Sequence, residues 1–159
     1  MKKYEFTGET KEIRLLFRTA TLHRIRATVA FGIVEVGDLG GWIEKEENLS
    51  HEGKAWVWGN AKVCGDAKVW GNAKVFSASH VLVIGAIGSR NDFTTFYRDK
   101  DNEITVKCGC FLGKIDRFLE KVTQTHGDSK YALVYRAAVE VAKLQIDLSG
   151  EAPKDADEE

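Results

Sequence analysis

Apolar and small residues recur along this chain with three different periods, and each period predicts a different kind of element. From Gly53 to Leu82 the hexads GKAWVW, GNAKVC, GDAKVW, GNAKVF and the degenerate SASHVL follow one another without a gap. Gly53, Gly59, Gly65 and Gly71 share one phase, Ala55, Ala61, Ala67 and Ala73 a second, and Val57, Val63, Val69, Val75 and Val81 a third. A helix would carry those valines around its surface, whereas a strand keeps Ala and Val, two residues apart, on one face. Each hexad therefore reads as a short strand and a turn. Strands this short cannot bury a face alone, so the hexads are expected to stack as the coils of a solenoid. Glycine at each corner supplies backbone freedom, and Asn60, Asp66 and Asn72 beside it tolerate left-handed conformations.

The pattern V-x-G-N-A-x resembles the hexapeptide repeat of left-handed parallel β-helix proteins. That resemblance implies coils of three hexads, Val pointing inward, Ala packed near it, and Trp58 stacked over Phe76 in an external ladder. Upstream, GDLGGWIEKEENLSHEG (37–53) reads as an irregular first coil, with Ile43 and Leu49 six apart and two extra residues before Val57. All four tryptophans (Trp42, Trp56, Trp58, Trp70) fall in this region. Two readings of them stand: they fill corners and cover ends, or they anchor a subunit interface.

Other periods govern the flanks. TLHRIRATVAF alternates in places and predicts a strand that caps the repeat, as solenoid ends require. After the repeat, VLVIGAIG is a buried apolar run, and Thr94, Phe96, Ile104 and Val106 offer period-two faces on either side of a polar turn from Asp99 to Asn102, a hairpin signal. Ile115, Phe118, Leu119 and Val122 then follow helical spacing, with Gly127 placed as a stop. A second helix from Asp128 carries Tyr131, Val134, Tyr135, Ala138, Ala142 and Ile146 as its apolar stripe. The expected fold is mainly β: N-terminal capping strands over 1–36, a short left-handed parallel β-helix over 37–82, a ββαα α+β domain over 83–148, and a disordered acidic tail over 149–159.

Composition agrees with that organisation. The 159 residues include 15 glycines and one proline, Pro153, which lies in the tail. The formal charge of −1 conceals five acids and one lysine in 149–159, which leaves a body of about +3. That balance leaves an anionic small molecule possible as a ligand but does not suit bulk attraction to a duplex. Lys62, Lys68 and Lys74 recur once per hexad, on different faces of a three-sided coil, and form no basic stripe, so nucleic acid is not expected as a partner. No run approaches the ~20 apolar residues of a membrane span, and MKKYEFTGETKEI breaks into charge before a signal core can form. A cytoplasmic protein with reduced cysteines and no membrane partner is expected.

Candidate chemistry is sparse. Cys108 and Cys110 are expected to alternate on a strand with His126 able to approach, but the third cysteine, Cys64, is in the repeat and the pair lacks C-x₂-C spacing; no metal or other cofactor is expected. Gly85-Ala-Ile-Gly-Ser-Arg-Asn-Asp92 is the most site-like string. Its glycines, Ser89, Arg90 and Asn91 can present backbone N–H groups and a guanidinium to an anion, with Asp92, Thr94, Thr95 and Arg98 continuing the polar edge and His126 as a possible addition. The competing reading is a turn leading into the hairpin, in which Asp92 caps the backbone and Arg90 pairs with a local acid.

The strings GDLGGWIEKEENLS, the GNAKV repeats, IGSRNDFTTFYR, CGCFLGKIDRFLEKV and THGDSKYALVY together resemble a family of small hexapeptide-repeat proteins of bacteriophages and prophages, over about residues 20–148. The resemblance implies a viral or prophage setting and a homotrimer or a multiple of one; in that setting the useful job is counter-defence, with an anionic nucleotide-type signal or a host defence protein as the expected partner. The sequence favours such a non-enzymatic binding protein over two alternatives. One is a small hexapeptide-repeat acyltransferase using His51 or His80, the other a structural, virion-associated assembly module.

Overall fold

In the computed structural model, which describes residues 2–149, the long strands come first and last and the hexads lie between them. Strands β1 (Tyr4–Arg14) and β2 (Thr19–Ala27) form an antiparallel hairpin, and β2 pairs antiparallel with β3 (Leu39–Ile43). The hexads supply only two-residue strands: β4 (Trp56–Val57), β5 (Lys62–Val63) and β6 (Lys74–Val75). Then β7 (Val81–Ile87), β8 (Asp92–Arg98), β9 (Ile104–Cys108) and β10 (Phe111–Lys114) make an antiparallel sheet in the order β10-β9-β8-β7. Helices α1 (Ile115–His126) and α2 (Lys130–Gln145) complete the chain.

This arrangement overturns the expected fold class. The protein is a mixed α and β structure built on antiparallel sheets, not a mainly β parallel solenoid. Antiparallel pairing holds β1–β2, β2–β3, β7–β8, β8–β9 and β9–β10, while the parallel pairs β3–β5 and β4–β6 are two residues long. Chain length explains the difference. Four regular hexads can contribute only a rung or two each, whereas the flanking runs are long enough for continuous ladders closed by local turns.

Within the hexad segment the reading of corners and inward residues holds, but the third hexad, 65–70, forms no strand and only a single bridge from Val69 to Leu49. The four corner glycines all have positive φ, from 58° to 71°. Ala55, Ala61, Ala67 and Ala73 are buried with Val57, Val63, Val69 and Val75. Trp56 pairs with Lys74, and across the irregular block Trp42 pairs with Lys62. Trp58 and Phe76 stack with centroids 4.4 Å apart. Trp56 is in the core and Trp42 is buried with Lys11 4.0 Å over its ring, while Trp58 and Trp70 are half-buried, Lys107 lying 4.6 Å over Trp70. Lys74, expected outside, is buried, because the second sheet docks there: Arg98 Nε donates to its carbonyl at 3.3 Å and Ala73 bridges to Asp99.

Strand β8 joins the two halves. By the alternation of a strand, Tyr97 enters the core of the hexads and the N-terminal hairpin, and Phe96 enters a second core with α1 and α2. The Phe96–Val106 register and the turn in which Asn102 N–H donates to Asp99 O match the predicted hairpin. Gly127, φ 58°, ends α1 as predicted. Helix α2 begins later than expected, with Ser129 rather than Asp128 as N-cap. The expected tail, apart from Ser149, lies outside the described residues.

One buried cation ties the N-terminus to the first hexad. Lys3 is 3 % exposed, donates from Nζ to Ala55 O at 2.7 Å and lies 4.8 Å from the Phe31 ring centroid. Burial lowers its pKa to about 8. Between pH 8 and the ordinary lysine value the unfolded chain therefore binds more protons than the folded one, and stability rises with pH. We expect wild-type stability to gain up to about 3 kcal/mol relative to Lys3→Met across that window. Urea melts at pH 7.5, 8.5 and 9.5 check this; parallel pH profiles for the two proteins would refute it. Buried Tyr4 and Tyr97, whose pKa values are raised, act in the opposite sense above pH ~10.

Candidate functional site

Between the β7–β8 turn, the β9–β10 turn and the two helices lies a cavity of about 220 Å³. Its position follows from local chemistry. Gly88 (φ 79°) and Asn91 (φ 49°) form a turn in which Asn91 N–H donates to Gly88 O at 3.3 Å, bringing Ser89 and Arg90 to the rim. Opposite, Gly109 (φ 56°) and Cys110 form a tight turn between Cys108 and Phe111, and Lys107 Nζ donates to the Gly109 carbonyl. Here the expectation for the cysteines is corrected: the strand ends at Cys108, so the two thiols do not alternate along it, although both line the cavity.

The helices supply the rest. Phe118, Lys121, Val122 and Thr125 stand at i, i+3, i+4 and i+7, one face of α1. From α2 comes Tyr135, which meets Phe118 edge-on at 5.6 Å and stacks on His126 at 5.8 Å and 27°. Burial, and then Cys108 and Asp92, push the Tyr135 hydroxyl up to about 12, so it is neutral near pH 7. Gly88 abuts this ring so closely that a Cβ on it would lie 1.9 Å from Tyr135 Oη. Glycine is thus required there twice, for space and for its positive φ.

Ser89, Arg90, Asp92 and His126 are brought together around the cavity. Asn91 is exposed in the same turn, and Thr94 lies just behind the wall, donating from Oγ1 to Cys108 Sγ at 3.4 Å. Thr95 and Arg98 are placed elsewhere. Thr95 points to the hexads, where its Oγ1 accepts the Lys68 N–H at 2.9 Å, and Arg98 is buried at the far end of β8 against Lys74 O and 5.4 Å from Phe76. The alternation of β8 puts Thr95 on the opposite face from Thr94. Asp92 Oδ1 accepts its neighbour's Phe93 N–H at 2.7 Å.

Arg90 decides the electrostatics. Its Nη1 lies 3.7 Å from where a Cβ on Gly109 would sit, so the side chain reaches across to the facing turn. Among the described residues no hydrogen bond or ion pair occupies the Arg90 guanidinium or the Lys121 ammonium. The rim thus presents two unengaged cations over an aromatic floor of Phe111, Phe118 and Tyr135. Sequence reasoning missed Phe111, Phe118, Lys121 and Tyr135 as site residues. Phe118 and Tyr135 were legible only as core stripes, and the i, i+3, i+4 overlap of Phe118, Lys121 and Val122 was the one local signal.

The acyl-transfer candidates serve the scaffold. His51 Nδ1 accepts the Lys3 N–H at 3.0 Å while its ring stacks on Tyr4, and His80 Nδ1 accepts the Phe76 N–H at 3.0 Å. Among the described residues no group of three His, Cys, Asp or Glu side chains is placed to hold a metal ion, and no helix is long and apolar enough to cross a membrane. No protein-family model matches the chain and no curated protein is significantly similar to it.

Proposed function

We propose that the protein is a non-enzymatic binding protein that captures a small anionic molecule of nucleotide type in the cavity between the β7–β8 turn and α1. The observation that carries this reading is the pairing of Arg90 and Lys121, free of internal partners among the described residues, with an aromatic floor. Arginine recognises phosphate through paired N–H donors, and ring faces of Phe111, Tyr135 and His126 suit a planar base. Ser89 and the turn amides add neutral donors, and Asp92 accepts from a ribose hydroxyl or a base amine. At about 220 Å³ the cavity is smaller than most ligand pockets, so it takes one nucleoside moiety and leaves phosphates at the rim.

In the phage setting that the family resemblance implies, such capture serves counter-defence by withdrawing a nucleotide-type signal from the host cytosol. Calorimetry with a panel of mononucleotides and cyclic dinucleotides, followed by chromatography of the released ligand, tests the proposal. Binding at a fixed ratio per chain with the ligand recovered unchanged supports it. Chemical conversion of the ligand, or no binding across the panel, overturns it.

A further inference from the structure

Helix α2 is apolar on two opposite faces. One carries Ala132, Tyr135, Ala138, Val139, Ala142 and Ile146 and is buried on the second sheet and α1. The other carries Leu133, Ala137, Val141 and Leu144, a run of i, i+4, i+8 and i+11, and its three large side chains are 60 %, 47 % and 89 % exposed. Between those faces lie Arg136, Glu140 and Lys143, so the second face is a distinct exposed apolar stripe with a polar border, the kind of patch that marks an interaction surface. Residues 150–159 carry Ala152, Pro153 and Ala156 as apolar side chains amid five acids and do not match such a stripe.

We infer that this face is a self-association surface, covered by α2 of a second copy of this chain running antiparallel across a two-fold axis. The stripe is self-complementary in one register. Leu133 of each copy meets Leu144 of the other, small Ala137 near the crossing lets the helices approach, and Lys130 comes beside Asp147 and the free carbonyls of the last turn. That last pairing complements charge as well as shape: the first turn of α2 carries Lys130 and no acid, and it meets Asp147 and the negative end of the facing helix, where the one basic residue of the last turn, Lys143, is held 3.6 Å from Glu140 of its own helix. A two-fold axis makes the same match twice. The contact is independent of the cavity, since Tyr135 leaves the opposite face of α2, and it is compatible with a trimer that doubles.

One face of a 16-residue helix lies at the small end of specific interfaces, so association should be concentration-dependent in the micromolar range. Light scattering and sedimentation of the full chain from about 1 to 200 µM should show the mass doubling. Leu133→Asp/Leu144→Asp should hold the lower mass throughout while far-UV circular dichroism stays native, both side chains being exposed. Lys130→Asp should weaken doubling ~3- to 10-fold, and adding Asp147→Lys should restore it. The inference is overturned if wild type never doubles, if the double leucine variant doubles like wild type, or if Leu16→Asp/Phe17→Asp at the exposed hairpin tip abolishes doubling instead.

Discussion

Replacing Arg90 with alanine is expected to weaken capture of an anionic ligand about 10- to 100-fold, with little change in melting temperature. The magnitude is that of one charge-assisted hydrogen-bonding group, ~1.5–3 kcal/mol. The small stability effect follows from exposure: Arg90 has no internal partner among the described residues, so its removal strands nothing. Arg90→Lys keeps the charge but loses the paired N–H geometry, and should recover only part of the affinity. Affinity should also fall with added salt less steeply in Arg90→Ala than in wild type. Calorimetry at two ionic strengths reads all three effects. Unchanged affinity in Arg90→Ala would remove the site from this cavity.

The largest stability loss from a single polar side chain should come at Asn48. This residue is fully buried, and its amide ties the irregular block to the hexads. Oδ1 accepts the N–H groups of Glu44 (3.2 Å) and Lys45 (3.0 Å), and Nδ2 donates to the carbonyls of Gly65 (3.0 Å) and Ala67 (2.9 Å). Asn48→Ala leaves the Lys45 N–H and the Gly65 and Ala67 carbonyls without those partners; the bond to Ala67 O is buried and its loss costs ~1–3 kcal/mol, while the two part-buried groups are partly reached by water and cost less. Glu44 N–H keeps its bond to Val63 O at 3.1 Å. We expect a total of about 3 kcal/mol, or a fall in melting temperature of about 8 °C for a chain of this size. Asn48→Asp keeps the acceptor but sets a carboxylate against two carbonyls and should do no better. A loss below ~1 kcal/mol in Asn48→Ala would mean that water takes over the bonds.

Asn48 also shows where reading the sequence ran out. The irregular block was recognisable from Ile43, Leu49 and the two extra residues, yet nothing in EENLS marks the asparagine as the link between turns. Its partners Gly65 and Ala67 lie well beyond it in sequence, and only stacking brings their carbonyls within reach. The same holds for the cavity. Ser89, Arg90, Asp92 and His126 could be named because their chemistry is local, but Tyr135 and Phe118 have the same spacing signal whether they line a cavity or fill a core. Thr95 and Arg98 were grouped with the site because they follow it in sequence; strand alternation and distance along β8 carry them to the joint with the hexads.

What the amino-acid sequence determined by itself was everything set by near neighbours: the six-residue period with Val and Ala inward, the left-handed corners at glycine, the Asp99–Asn102 turn, the span of α1 and its stop at Gly127. Backbone sterics and side-chain spacing act over a few residues, so they are written in a few residues. Tertiary structure alone decided which strands pair. It turned an expected parallel solenoid into antiparallel sheets flanking a short hexad segment, buried Lys74 beneath β8, and left one apolar face of α2 uncovered. Those outcomes depend on contacts between residues distant in sequence, whose free energy is shared across whole faces rather than carried by any one motif.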